Sequence, residues 1–546
     1  MHRSFKGINL SYVGISFCLA LYFVVIVNLP VYSALSDVLS KLDGVKIGFV
    51  ISIPIFFLAT FNFLFNLFSW PWLTKPFFAL LILLSAAVSY AGFNYGTLFD
   101  SDMIANIVET DSSEAGSYFS LYSLVWMIGM GIIPALLLII TPIQKNKSFF
   151  NLILRKLTSM AISLVVIGTV AMMYYQDYAS VGRNNSYLRQ LIIPTQLVYS
   201  IGKYVHRTYL ATPIIYREIG LDAKQTPQAL SAATDKPTLV VFVLGETARS
   251  QNYQLNDYSR PTNSYTKALN VISFQDVSSC GTATAVSVPC MFSSFTRDNY
   301  SRQAADNQDN FLDILKRAQV GLFWIENDGG DKNVAKNIDK IEIDRSRVDE
   351  LCNGQTCYDM AMLENFEKNI DKMQGNRMLL MHLIGSHGPT YFQRYPQDKK
   401  VFQPDCPRAD IENCTVDQII NTYDNTILYT DYVIAQTIEK LKTLEDKYNT
   451  ALIYISDHGE SLGENGLFLH GMPYGLAPEY QTQVPMIFWT SPGFEREKSL
   501  NTTCLRNNAQ QKTYSQDNLF HSMLGIMDIT TEVYNPHMDL FANCRS

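Results

Sequence analysis

The chain has 546 residues, a formal net charge of −7 and 47% hydrophobic residues. It is too long for one ordinary domain, and its negative balance excludes a nucleic-acid partner held by bulk positive charge. Residues 1–175 carry most of the long apolar runs and the remainder has a globular composition, so two parts in different solvents are expected.

Five apolar stretches, 10–30, 47–69, 77–96, 120–141 and 157–175, approach or reach the ~20 residues that cross a bilayer as helix. Such runs with almost no internal charge are rare in folds bathed in water. Arg3 and Lys6 precede the first run, Lys75 follows the second, and Lys145, Lys147, Arg155 and Lys156 lie between the fourth and fifth, which puts these loops on the cytoplasmic side. Residues 100–116 hold five acids and no Lys or Arg, so this loop faces outward. An odd number of spans with an inner N-terminus places everything beyond residue 175 outside. A cleaved signal peptide is disfavoured because no small-residue cleavage site follows the first run, where Leu29-Pro-Val-Tyr stands.

Residues 176–236 form a bridge. The segment 187–199 is apolar but interrupted by Arg189, Gln190, Pro194 and Gln196, which suits the membrane surface; 225–236, with its Ser, Ala, Thr and Pro, is expected to be a linker. The outward domain then occupies 237–546.

Of nine cysteines only Cys18 lies in a span. The other eight fall at Cys280 and Cys290, Cys352 and Cys357, Cys406 and Cys414, and Cys504 and Cys544, an even number in the outward part. That is a disulfide framework in an oxidising compartment. Zinc binding by Cys352 and Cys357 is the competing reading, but no matching second half exists.

The runs 238–244, 320–325, 378–384, 451–455 and 484–489 read as strands apolar on both faces, separated by helical stretches such as 417–444. The expected fold is α/β, with a doubly wound α/β/α outward domain on a parallel sheet, and the ligand belongs beyond the strands' carboxyl ends. There stand Glu246, Asp457 with His458, and the stretch Gly385-Ser386-His387-Gly388-Pro389. Two carboxylates and an imidazole can hold a divalent metal, with zinc favoured by the mixed N/O set. A hydroxyl would complete the tetrahedron and become a nucleophile. Thr284 is the candidate, central in CGTATAVSVPC (280–290) with small neighbours Ala283 and Ala285. Taken singly, Glu246 could be a capping acid, Asp457 an N-cap and the Thr284 loop a disulfide-tied turn.

The ordered motifs Gly245-Glu246-Thr247-Ala248-Arg249, CGTATAVSVPCMFS, Gly385-Ser386-His387-Gly388-Pro389-Thr390-Tyr391, Asp457-His458-Gly459-Glu460-Ser461-Leu462-Gly463-Glu464 and His470-Gly471 resemble the phosphoethanolamine–lipid A transferases of bacterial envelopes, within the alkaline phosphatase/sulfatase superfamily. The resemblance implies five inner-membrane helices and a periplasmic catalytic domain. It implies that Thr284 takes phosphoethanolamine from phosphatidylethanolamine and passes it to lipid A, lowering surface charge and conferring polymyxin resistance. Glu246, Thr284, Asp457 and His458 match the family's zinc ligands. His387 and His470 match histidines that bind a second zinc or protonate a leaving group. Asn106, Thr110 and Glu114 match positions at the lipid entrance, and Asn327 and Lys332 fall in a polar substrate-binding stretch whose intervening residues differ here.

Alternatives carry the same metal site: a membrane-anchored hydrolase or sulfatase, a glycerophosphate transferase of the lipoteichoic-acid type, or an envelope receptor with a structural metal. A sulfatase needs a Cys or Ser that can become an aldehyde, which Thr284 cannot. The dense cysteines point to a periplasm rather than to a cell without one.

Overall fold

The computed structural model describes residues 9–40, 45–111, 115–116, 118–144, 148–211 and 214–545. Glu114 and the loop charges Arg3, Lys6, Lys145 and Lys147 lie outside them. The chain divides into two compact units, one of Met1–Ser101 with Ser120–Lys203, the other of Asp102–Phe119 with Tyr204–Ser546.

The first unit is helical. Helix α1 (Tyr12–Val27) starts at Ser11, whose Oγ accepts from Gly14 N, ends in a π-turn, and meets α2 (Leu29–Ser40) at a 55° bend. Asn28, fully buried at that bend, donates to the carbonyls of Phe23 and Ile193 and accepts from Ile193 N. Its amide thereby satisfies backbone groups that a broken apolar helix would otherwise strand. Helices α3 (Ile47–Phe68), α4 (Thr74–Asn94), α5 (Ser101–Glu109, almost all of it in the second unit), α6 (Leu121–Ile140) and α7 (Phe149–Asn184) follow. Among the described residues four helices, α3, α4, α6 and most of α7, are long and apolar enough to cross a membrane, or five if the bent pair counts as one span. Asn62 of α3 donates to Ser159 and Ser163 of α7, a polar seam between apolar helices. Arg155 and Lys156, expected in a loop, stand inside α7; Lys156 is buried, donating to Ser69 O and lying over the Trp70 ring.

The second unit is built on a seven-stranded sheet. Its strands are β1 (Thr238–Gly245), β2 (Ile272–Phe274), β3 (Gly321–Glu326), β4 (Asp339–Glu342), β5 (Arg377–His382), β6 (Asn449–Ser456) and β7 (Met486–Thr490), in the order β2-β7-β6-β1-β5-β3-β4. β1, rich in Val and Leu, is buried along its whole length, as a strand covered on both faces must be. The sheet is not wholly parallel: β7 runs antiparallel to both β6 and β2. Residues 225–236 also depart from expectation, because they contain a helix, Pro227–Asp235, with Thr226 Oγ1 capping Ala229 N and proline at the first position.

Register sets the site. Gly245 of β1 pairs with Ser456 of β6, so Glu246 and Asp457 leave the sheet side by side. On the other flank Leu244 pairs with His382 of β5, and His382 with Glu326 of β3. Helix α8 (Thr284–Phe292) begins at Thr284. Helix α9 (Val416–Thr443), capped by a Thr415–Gln418 box, sends Tyr423 to the loop after β1, where its hydroxyl donates to Thr247 O and accepts from Arg249 N. Disulfides join Cys280 to Cys290, Cys352 to Cys357, Cys406 to Cys414 and Cys504 to Cys544, and Cys18 is free.

Candidate active site

Thr284 stands on the first turn of α8, 5% exposed, where Ala283 offers no side-chain cap. Its Oγ1 lies 3.2 Å from Glu246 Oε2 and 3.4 Å from His458 Nε2. His458 Nε2 is also 3.2 Å from Asp457 Oδ2 and 3.5 Å from Glu246 Oε1. Ligand atoms of Glu246, Asp457 and His458 all fall within 4.8 Å of one another, and all three residues are fully buried.

The neighbours fix each group. Thr247, held at a left-handed φ of +58°, donates its amide to Asp457 Oδ1 and its hydroxyl to Glu246 Oε1. His458 N also donates to Asp457 Oδ1, at 2.7 Å. The His458 ring turns Nδ1 to Gly459 O at 3.0 Å, leaving Nε2 toward Thr284. Gly385, at φ +49°, lets its loop approach the Glu246 backbone.

The electrostatics call for a cation. Burial, then the carboxylates of Asp457 and Asp328, raise the Glu246 pKa, and burial raises that of Asp457 to about 6. Burial lowers that of His458, so its imidazole is neutral and able to be a ligand. Asp457 Oδ2 is buried with no hydrogen-bond partner among the described residues, an acceptor 3.2 Å from His458 Nε2. Two crowded carboxylates, a neutral imidazole and a hydroxyl are the donor set of a zinc ion; the residues fit the metal.

His387 and His470 border this cluster. The His470 ring centroid is 4.3 Å from that of His458 and 5.9 Å from that of His387. Its Nδ1 is 3.0 Å from Glu460 Oε2, and Glu460 Oε1 accepts from Tyr391 OH at 2.7 Å. Burial raises the Glu460 pKa well above and lowers that of His470 well below the ordinary values. Beside His387 lies a cavity of about 290 Å³, lined among others by Asp328, Arg345, Thr356, Gln393 and Arg394.

The remaining expected positions among the described residues are Asn106, Thr110, Asn327 and Lys332. Asn106 is on α5, and Thr110, just past its end, donates its hydroxyl to Asn106 O at 2.8 Å. Asn327 is fully buried, its amide donating to Asp359 Oδ1 and Cys357 O. Lys332 occupies a turn at φ +45°. Two features had no role in the sequence reading. Glu460 orients His470, and Arg302 donates to Ala285 O at 2.7 Å while pairing with Glu109, tying the end of α5 to the first turn of α8. Glu460 was within reach, three residues beyond Asp457; Arg302 carried no motif.

Comparison with known proteins agrees with this architecture. Residues 56–209 match the model of phosphoethanolamine transferase EptA/EptB, and 238–529 match the sulfatase model. The chain is 38% identical over 496 residues to phosphoethanolamine transferase EptA of Escherichia coli strain K12, covering 91% of this chain and 90% of that one. It is 33% identical over 522 residues to phosphatidylethanolamine transferase Mcr-1 of Escherichia coli, covering 94% of each. Among solved structures, the integral membrane protein lipooligosaccharide phosphoethanolamine transferase A from Neisseria meningitidis matches with a TM-score of 0.94 at 34% identity, covering 98% of this chain and 99% of that one. With transferase relatives covering nine tenths or more of its length, an apolar helical unit and a sulfatase-type domain around Thr284, the chain belongs to the phosphoethanolamine transferase family.

Proposed function

We propose that the chain transfers phosphoethanolamine from phosphatidylethanolamine to lipid A through a covalent intermediate on Thr284, at a bacterial inner membrane with the second unit in the periplasm. The observation that carries this reading is Thr284 Oγ1 lying 3.2 Å from Glu246 and 3.4 Å from His458 at the head of α8. Added to lipid A, the group would lower the negative surface charge that cationic peptides such as polymyxin need.

Glu246, Thr284, Asp457 and His458 would hold zinc, which when bound lowers the hydroxyl's pKa and offsets charge on phosphoryl oxygens. The Thr284 oxygen attacks the donor phosphorus; a P–O bond to Thr284 forms and the bond to diacylglycerol breaks. The departing oxygen takes a proton that balances the one Thr284 gives up. His470 would supply it as a relay: burial raises the pKa of Glu460, whose Oε2 lies 3.0 Å from His470 Nδ1, so a proton passed from Glu460 to Nδ1 balances the Nε2 hydrogen passed to the departing oxygen. An oxygen of a lipid A phosphate then attacks the same phosphorus; the new P–O bond forms as the bond to Thr284 breaks, and the proton of the acceptor P–OH returns to the Thr284 oxygen. Arg345, paired with Asp111 at 2.7 Å, and Arg394 line the adjoining cavity together with Asp328, and their guanidinium groups would meet the phosphate of that acceptor. Asn106 and Thr110 on and after α5, with Glu114, would border the lipid entrance, and Lys332 would reach the polar headgroup; Asn327 would act by holding its loop.

Mass spectra of lipid A from cells with and without the protein test the reading. Addition of one phosphoethanolamine unit is expected with the wild-type chain, none with Thr284→Ala, and partial addition with Thr284→Ser. Full modification by Thr284→Ala would defeat the nucleophile assignment, and unmodified lipid A throughout would defeat the acceptor.

A further inference from the structure

A second cluster lies on the other flank of Glu246. His382 ends β5 fully buried, and its Nδ1 is 3.0 Å from Glu326 Oε2. That carboxylate is saturated with donors: Oε2 also accepts from Trp324 Nε1 at 2.9 Å, and Oε1 accepts from the amides of Asp328 at 2.6 Å and Gly329 at 3.1 Å. Glu326 therefore fixes the ring and keeps a hydrogen on Nδ1. His382 Nε2 is buried and has no hydrogen-bond partner among the described residues, 3.7 Å from Asp328 Oδ2. That gap is too long for a hydrogen bond. Ligand atoms of Glu246, Asp328 and His382 nevertheless converge within 4.8 Å of one another, all from buried residues.

We propose that His382 Nε2, Asp328 and Glu246 form a second divalent-cation site, distinct from the Thr284 cluster and sharing Glu246 with it. An ion about 2.1 Å from both His382 Nε2 and Asp328 Oδ2, which stand 3.7 Å apart, would see them at an angle of roughly 120°, open enough for tetrahedral or higher coordination. The Glu326–His382 pair is the arrangement by which a carboxylate orients a metal-binding imidazole. One nitrogen and two carboxylates suit zinc or manganese rather than magnesium. Because Glu246 belongs to both ligand groups, a cation here would clamp the carboxylate that meets Thr284. The site does not depend on Thr284 being the nucleophile.

The test uses the full-length chain in detergent, stripped of metal, equilibrated with excess Zn²⁺ or with Mn²⁺, and counted by mass spectrometry of the bound metal. The doubly substituted Asp328→Asn, His382→Gln chain is expected to hold one equivalent fewer than wild type, and equal counts would overturn the proposal. Should the variant fail to fold, an anomalous difference map of zinc-loaded wild-type crystals decides. A peak among His382, Asp328 and Glu246 supports the site. A peak only at Asp457 and His458 overturns it and leaves the proposed function standing, whereas a peak here with none at Asp457 and His458 supports the new site and counts against the zinc-bound Thr284.

Discussion

Replacing Gly385 with alanine should damage catalysis far more than folding. Gly385 has φ +49°, and a Cβ added there would stand 2.6 Å from Glu246 O and 3.0 Å from Glu246 N. The left-handed backbone alone costs an L-residue about 1–2 kcal/mol. Relief of the contact requires the two segments to part by roughly 1 Å, because nonbonded carbons sit at about 3.5–4.0 Å. Ser386 N donates to Glu246 O at 3.0 Å, so the displaced loop drags the carboxylate's backbone with it. A shift of that size in a catalytic group costs about 100-fold in rate. Purified full-length protein is assayed for transfer to lipid A and for its urea midpoint. Gly375→Ala is the control, since Gly375 has φ +61° but nothing within 4 Å of an added Cβ. We expect Gly375→Ala to lose about 1–2 kcal/mol and keep its rate, and Gly385→Ala to lose about 100-fold in rate. A wild-type rate for Gly385→Ala, or an equal loss in both, would refute the reasoning.

Three further outcomes are expected. A strong chelator should abolish transfer and lower the melting temperature of the second unit, with zinc restoring both better than magnesium; full activity after verified metal removal would contradict this. Changing Cys280 and Cys290 together to serine opens a loop of about ten residues worth roughly 2–3 kcal/mol, so activity should fall while membrane insertion, measured by fractionation, does not. His521 accepts from Asn535 N at 3.1 Å, and burial lowers its pKa to about 4. Its neutral form stabilises the fold fully above about pH 6.5, and that contribution is lost as pH falls toward 4; after allowing for partial exposure it amounts to roughly 1–2 kcal/mol. Urea midpoints at pH 7 and 5 should therefore converge in His521→Gln, and an undiminished pH dependence would count against the assignment.

Much of the site was readable because β1 and β6 carry unbroken apolar runs, 239–244 and 451–455, that end one residue short of Glu246 and Asp457, and register then makes those two neighbours. The direction of β7 was not, since a strand buried on both faces has the same pattern either way and only the path of 457–485 turns it round. Composition misled at 225–236, where Ser, Ala, Thr and Pro looked like a linker although Thr226-Pro227 before an alanine-rich stretch is a sound helix start. Lys156 looked like a loop charge because its sequence does not show the Ser69 carbonyl that receives it. The Glu326–His382 pair depends on β3 and β5 being adjacent and in step, which only the sheet order reveals.

The most direct test is mass spectrometry of the peptide containing Thr284 after the purified protein meets phosphatidylethanolamine without acceptor. Phosphoethanolamine is expected covalently on Thr284, discharged when lipid A is added and absent from Thr284→Ala. Transfer that proceeds with Thr284 never modified would contradict it.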